Sequence, residues 1–212
     1  PPGRADGAAR CAPGSRGDAG PVSRPVRRIG IVHNPLSRAG RTDGARFGAA
    51  AAGLPLAEPA SRAELRDALR GFAARGVDLV AVQGGDGTLR EVLTALPDAF
   101  GDRPPAIAVL AAGKTNLAAK ALGGAGPGDA GLARILDAAG RGALRRRLVP
   151  VLEVRLPGPD EEAPLRGLFF GAGAFTEGKR MAAERLHGCG IRAGAAVPLA
   201  LAGVALRVGL DR

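Results

Sequence analysis

The sequence predicts an α/β protein, a parallel sheet interleaved with helices and followed by the start of a β-rich second domain. Three observations carry this expectation. Short apolar runs at 28–32, 77–82 and 106–110 alternate with segments whose apolar residues recur at helical spacing. Glycine-rich turns join those runs to the helical segments, a rhythm that implies right-handed crossovers and parallel pairing. From Leu148 onward the texture changes: VPVLEVRL and LRGLFFGAG are separated only by an acidic loop at Asp160, Glu161 and Glu162, which suits an antiparallel pair.

Each element has its own local signal. RIGIV at 28–32 reads as a buried strand, ended by the turn-forming residues Asn34-Pro35-Leu36-Ser37. A weakly defined helix is expected through 45–52. The next helix is the best signalled: Ser61 and Glu64 have capping-box spacing, and Leu65, Leu69, Phe72 and Ala73 line one face up to Gly76. VDLVAV at 77–82 reads as a strand covered on both faces. After Gly84-Gly85-Asp86-Gly87-Thr88, Leu89, Val92, Leu93 and Leu96 mark a helix face that Pro97 is expected to end. AIAVL at 106–110 is the next strand, and Gly113-Lys114-Thr115-Asn116 opens a helix through Leu122. The glycines at 123–128 read as a break, and 132–139 as one more short helix.

Composition narrows the function classes. The chain has 212 residues, 46% of them hydrophobic, enough to bury a core. Its net charge is +10, and residues 1–28 hold six Arg and two Asp with five Pro, five Gly and no apolar run, so 1–27 is expected to be a disordered tail. Arg141, Arg145, Arg146 and Arg147 carry much of the remaining positive charge, as a solvated connection or as an attractor for phosphates or an anionic membrane surface. Two Cys and two His exclude a disulfide framework and a structural zinc site, and the thiols suit a reducing compartment. Six Phe with no Trp or Tyr leave few platforms for stacked bases, and no recognition module is evident, so nucleic acid is not expected as a partner. Residues 195–210 are apolar but contain Pro198 and Arg207, and are read as a buried or interfacial helix in preference to a membrane span.

Chemistry concentrates in the three turns. Gly84 to Thr88 follow a buried strand and precede a helix, the position where α/β sheets bind ligands. Glycines let a phosphate approach the backbone, and the amides and dipole of the following helix favour an anion. Asp86 in such a turn points to a compensating Mg²⁺ or to a proton taken from an acceptor hydroxyl, and both roles remain open here. In the second glycine turn Lys114 offers a cation, and Thr115 and Asn116 offer hydrogen bonds. Asn34, Pro35 and Ser37 follow the first strand, where their groups reach a base, ribose or phosphate. All three turns sit at the carboxyl ends of successive strands, which makes the joint pattern far more specific than any one turn.

NPLS at 34–37, GGDGTLREVL at 84–93 and LAAGKTNLAAKAL at 110–122 together resemble the diacylglycerol kinase catalytic-domain family, which also includes sphingosine kinases and bacterial lipid kinases. The resemblance implies an α/β ATP-binding domain, placed here at 28–144, and a β-rich second domain, of which 145–212 forms a part. It implies that ATP lies in the cleft with a lipid such as diacylglycerol as acceptor, and that Asn34, Pro35 and Ser37 contact the nucleotide. It further implies that Gly84, Gly85, Asp86, Gly87 and Thr88 wrap the phosphates, that Glu91 supports the loop, and that Gly113, Lys114, Thr115 and Asn116 line the site. Asp86 is then the candidate catalytic residue and Mg²⁺ contact. Ala111 and Lys114 stand where the family commonly has Pro and Thr, and Thr115 is one position away to substitute.

The family also carries acidic catalytic residues in a distal Gly-Glu motif, and none follows Phe175; Glu177 and Glu184 lie on an expected helix and are not assigned that role. A fragment, or a gene product shortened at its carboxyl end, is therefore expected. The alternatives are an NAD kinase-like enzyme, which shares the Gly-Gly-Asp-Gly-Thr turn, and a non-catalytic nucleotide-binding protein. The lipid-kinase reading implies a cytoplasmic location, peripheral at the cytoplasmic membrane face, and leaves a homo-oligomer open.

Overall fold

The computed structural model describes residues 26–37, 46–155 and 164–169. Four strands form a parallel sheet: β1 (Ile29–His33), β2 (Leu56–Ala57), β3 (Leu79–Gly84) and β4 (Ala106–Ala111), in the order β2-β1-β3-β4. β3 is buried at all six positions, because helices cover both faces of the sheet. Val80 and Val82 point toward α1 (Arg62–Ala74) and α2 (Asp86–Phe100), where Leu65, Leu69, Phe72 and Val92 complete one core. Leu79 and Ala81 point the other way, toward Leu132 and Ile135 of α4 (Gly128–Gly140). The alternation within one strand thus builds a three-layer α/β fold from a continuous apolar run.

Helix α1 starts where expected. The Ser61 hydroxyl accepts the Glu64 amide at 3.2 Å, and the Glu64 carboxylate reaches back to the Ala60 amide at 2.9 Å. The Phe72 ring then lies on β1 at Gly30, where a Cβ would stand 2.8 Å from Cδ2 of the ring, so the close helix–strand approach requires glycine there. Gly76, at φ +66, takes the left-handed conformation that ends the segment.

Several expectations need correction. Helix α2 runs through Pro97 and stops only at Gly101, whose φ is +55. Pro97 lies in the last turn, where its missing N–H removes one hydrogen bond and leaves the preceding turns intact. The helix expected at 45–52 is, over its described part, a single 3-10 turn at Ala49–Ala51. Phe47, Ala50, Ala51 and Leu54 pack against the second core, but Gly48 and Gly53 flank the turn and keep it too short to grow into a longer helix. The glycine break is also more than a linker: Ala125 pairs in parallel with Leu110, exchanging backbone bonds of 2.9 Å with Val109 and Ala111 alongside β4. Within α4, a Cβ on Gly131 would lie 1.7 Å from the Gly126 carbonyl oxygen, so the helix abuts this segment directly. The short helix α3 (Leu117–Leu122) lies between β4 and the break.

The expected antiparallel pair is present as β5 (Leu152–Val154) and β6 (Leu165–Gly167), with Glu153 opposite Arg166. This second sheet is fastened to α2. The Arg166 amide donates to Thr94 Oγ1 at 2.9 Å, and the Arg166 guanidinium donates to the Thr94 carbonyl at 3.2 Å. Of the expected tail, only 26–27 are described, and there the Arg27 amide donates to the Asp78 carboxylate at 2.9 Å. The rest of the tail, the acidic loop at 160–162, Glu177, Glu184 and the apolar stretch 195–210 lie outside the described residues. Among the described residues no helix is long and apolar enough to cross a membrane.

Candidate functional site

The carboxyl ends of β1, β3 and β4 bring the three turns together. Asn34 begins the first turn. Its backbone amide donates to the Gln83 carbonyl at 2.9 Å, holding it against β3, and its side-chain oxygen accepts the Leu36 amide at 3.0 Å in an Asx-type turn. The Asn34 Nδ2 donates to Thr88 Oγ1 at 2.9 Å, so the first turn is tied to the second.

The second turn is the joint between β3 and α2. Gly84 is the last residue of the strand, and a Cβ there would stand 2.5 Å from the Thr88 side chain. Gly85 is the N-cap of α2 in extended backbone, with no side-chain cap, and Asp86, Gly87 and Thr88 form the first helical turn. The leading amides of a helix have no intrahelical acceptor, and the dipole adds about half a positive charge at that end. Nothing lies within 4 Å of where a Cβ on Gly87 would stand, so this end of α2 is open.

In the third turn, Asn116 closes a reciprocal pair with Gly113: its Oδ1 accepts the Gly113 amide at 2.7 Å and its Nδ2 donates to the Gly113 carbonyl at 3.1 Å. Asn116 sits at φ 52, a left-handed conformation that Asn tolerates better than most residues. Gly113 meets Gly85 backbone to backbone, and the Ala112 amide donates to the Gly84 carbonyl at 3.0 Å. Lys114 and Thr115 are exposed on this turn.

Asp86 connects the second and third turns. Its Oδ2 accepts the Leu117 amide at 3.1 Å and its Oδ1 the Ala118 amide at 3.0 Å, so the carboxylate caps α3, whose own N-cap supplies no side-chain bond. Each carboxylate oxygen keeps a lone pair beyond these bonds.

A cleft of about 690 Å³ opens over the turns, lined by Asn34, Pro35, Ser37, Gly85, Gly87, Thr88, Glu91 and Gly113 of the expected residues. Gly84, Asp86, Lys114, Thr115 and Asn116 support or flank it without lining it. His33, Glu58, Arg62 and Arg90 also line it and were not among the sequence candidates. Glu91 is the hub of its charged wall. Arg62 Nε lies 2.8 Å from Glu91 Oε2, and Arg90 Nη2 lies 2.5 Å from Glu91 Oε1. Partial burial pushes the Glu91 carboxyl up, but the hydrogen bonds and charges of Arg90 and Arg62 outweigh it and hold the group below the usual glutamate range. Also in the cleft, His33 Nδ1 and Glu58 Oε1 are 2.7 Å apart, and the His33 and Phe47 rings meet in a T-shaped arrangement. A second cleft of equal volume runs along the edge strand β4, lined by apolar residues such as Leu93, Leu96, Ile107, Val109 and Leu148 and by none of the three turns.

The donor set suits a nucleoside polyphosphate: open helix amides, glycines that admit close approach, and cations on one wall. For Mg²⁺ the fit rests on Asp86 alone, because no group of three or more His, Cys, Asp or Glu side chains converges among the described residues. One carboxylate is a reasonable protein share for Mg²⁺, which takes most of its other ligands from phosphates and water.

Similarity to known proteins covers part of the chain. Three solved structures of proteins from Bacillus anthracis str. Sterne, diacylglycerol kinases by assignment, are similar to the chain at 23%, 23% and 24% identity, with TM-scores of 0.39, 0.39 and 0.40. The matches cover 46%, 46% and 47% of this chain and 37%, 35% and 37% of those structures, so the chain spans little more than a third of their length. Among curated proteins none matches. The model of the diacylglycerol kinase catalytic domain matches residues 39–144, which is half of the sequence and takes in two of the three turns, and the chain belongs to this family.

Proposed function

We propose that the parallel-sheet domain binds ATP over the open N-terminus of α2 and serves a kinase that transfers the γ-phosphoryl group to a hydroxyl of a lipid such as diacylglycerol. The observation that carries this reading is the convergence of Asn34, Gly85, Thr88 and Gly113 on one cleft at the carboxyl edge of the sheet. Membership of the diacylglycerol kinase catalytic-domain family supports nucleotide use and a lipid acceptor. In this reading the amides of Gly87 and Thr88 hold phosphate oxygens, and Asn34 and Ser37 hold the nucleotide against the first turn. Lys114 and Thr115 contribute through the shape of their turn. Asp86 would hold Mg²⁺ through water by its remaining lone pairs, or would take the acceptor proton, with its bonds to α3 keeping the carboxylate in place. Mg²⁺ would supply charge neutralisation between the phosphates. The acceptor lipid would reach the cleft from a membrane surface.

Magnesium-dependent ATP binding, measured by calorimetry, is expected for the chain and is expected to be lost in Gly85→Val. Unchanged affinity in that variant would remove the glycine turn from the site. Transfer of labelled phosphate from ATP to diacylglycerol tests the reaction itself. Phosphorylation of NAD with none of diacylglycerol would replace the acceptor, and binding without any transfer would favour a nucleotide-binding protein.

A further inference from the structure

We propose that Arg62 and Arg90, cross-braced by Glu91, form a two-arginine clamp on the polyphosphate of the nucleotide, a role that rests on the ATP-binding reading above. Arg62 opens α1 and Arg90 is the fifth residue of α2, so two different helices deliver guanidinium groups to the same wall of the cleft. Both stand near helix N-termini, where the macrodipole disfavours a cation. Glu91 offsets only one of the two charges. The other carboxylate on the cleft wall, Glu58, is engaged by His33.

The geometry leaves donors free. Arg62 turns Nε and Nη2 toward Glu91, at 2.8 and 3.2 Å, while its side chain remains 64% exposed; that of Arg90 is 50% exposed. A guanidinium has five N–H groups in a rigid fork, so each arginine retains donors for phosphate oxygens while Glu91 fixes its plane. As a surface ion pair alone the network would contribute little to stability. Its place beside the uncapped end of α2 gives it a use: an anion between the two helices meets both guanidinium groups and the open amides together. Lys114, the cation expected from sequence, does not line the cleft, and these arginines supply the positive charge in its stead.

The test compares binding of ATP, ADP, AMP and adenosine to the wild-type chain and to Arg62→Ala, Arg62→Lys and Arg90→Ala, with circular dichroism confirming the fold. A phosphate clamp predicts an ATP affinity lower by about tenfold or more in each alanine variant, a smaller loss for AMP, none for adenosine, and partial recovery in Arg62→Lys. Equal losses for ATP and adenosine, or no loss, would overturn the clamp while leaving ATP binding intact. A wild-type chain that binds no ATP would overturn both readings. As a measurement independent of any variant, ATP should protect Arg62 and Arg90 of the wild-type chain from phenylglyoxal, mapped by mass spectrometry, where adenosine does not; equal modification with either ligand speaks against the clamp.

Discussion

Gly85 and Gly113 touch through their backbones: a Cβ on Gly113 would stand 2.5 Å from the Gly85 Cα, and one on Gly85 would stand 3.1 Å from the Gly113 Cα. Two glycine turns from different strands are thereby fused into one surface, and the contact has no side chain to yield. Gly113→Ala must displace both the Gly85 backbone and the Asn116 Oδ1 2.8 Å away. It is expected to destabilise the chain by about 1–3 kcal/mol, measured by urea denaturation. Gly87→Ala is the contrast, since its Cβ meets open space. That variant should be as stable as wild type or slightly more so, while ATP binding weakens.

The Asp86 carboxylate caps α3, which has only six residues and no N-cap side chain of its own. Asp86→Ala should lose about 1 kcal/mol of stability without any ligand present. Hydrogen exchange should rise first at Leu117 and Ala118. An unchanged exchange pattern would mean that α3 does not depend on this carboxylate.

Ser61→Ala removes one half of the capping box at α1. A loss of about 1 kcal/mol is expected, with Glu64→Ala giving a similar loss and the double variant less than the sum, because the two side chains act on the same helix end. Additive losses in this cycle would show that the two bonds are independent.

Glu91 has a lowered carboxyl value, so its contribution is present above the ordinary glutamate range and is lost as pH falls through the lowered value. The stability difference between wild type and Glu91→Gln should therefore be largest near neutral pH and shrink in acid. Urea unfolding at several pH values between 7 and 3 checks this. A difference that stays constant across the series would remove the ionised carboxylate from the network.

The residues that were legible in the sequence are those whose cause is local. Ser61 and Glu64 announce α1 because a capping box is written in four residues, and the run 79–82 announces β3 because every side chain in it is buried. Pro97 misleads because a proline forfeits only its own bond to the carbonyl four residues earlier and permits helical φ, so α2 carries on for one more turn past it. β2 has two residues and is defined by its pairing with Ile31 and Val32, so it leaves no side-chain pattern to read. In the cleft, Asn34, Gly85, Thr88 and Gly113 were visible through their turn chemistry. Arg62 and Arg90 were not, since an arginine on an exposed helical position looks the same whether it faces a cleft or bulk water. The partners of Asp86 lie 31 and 32 residues away, beyond the reach of any local pattern.

The Thr94–Arg166 clasp gives α2 a mechanical role. The helix is about 22 Å long, with the glycine cleft at one end and the second sheet bound near its middle. A helix of four turns tilts as a rigid rod, so a movement that widened the cleft would swing β6 on the same axle. Whatever that sheet carries is geared to the glycine-turn end of α2 and is not free to drift independently of it.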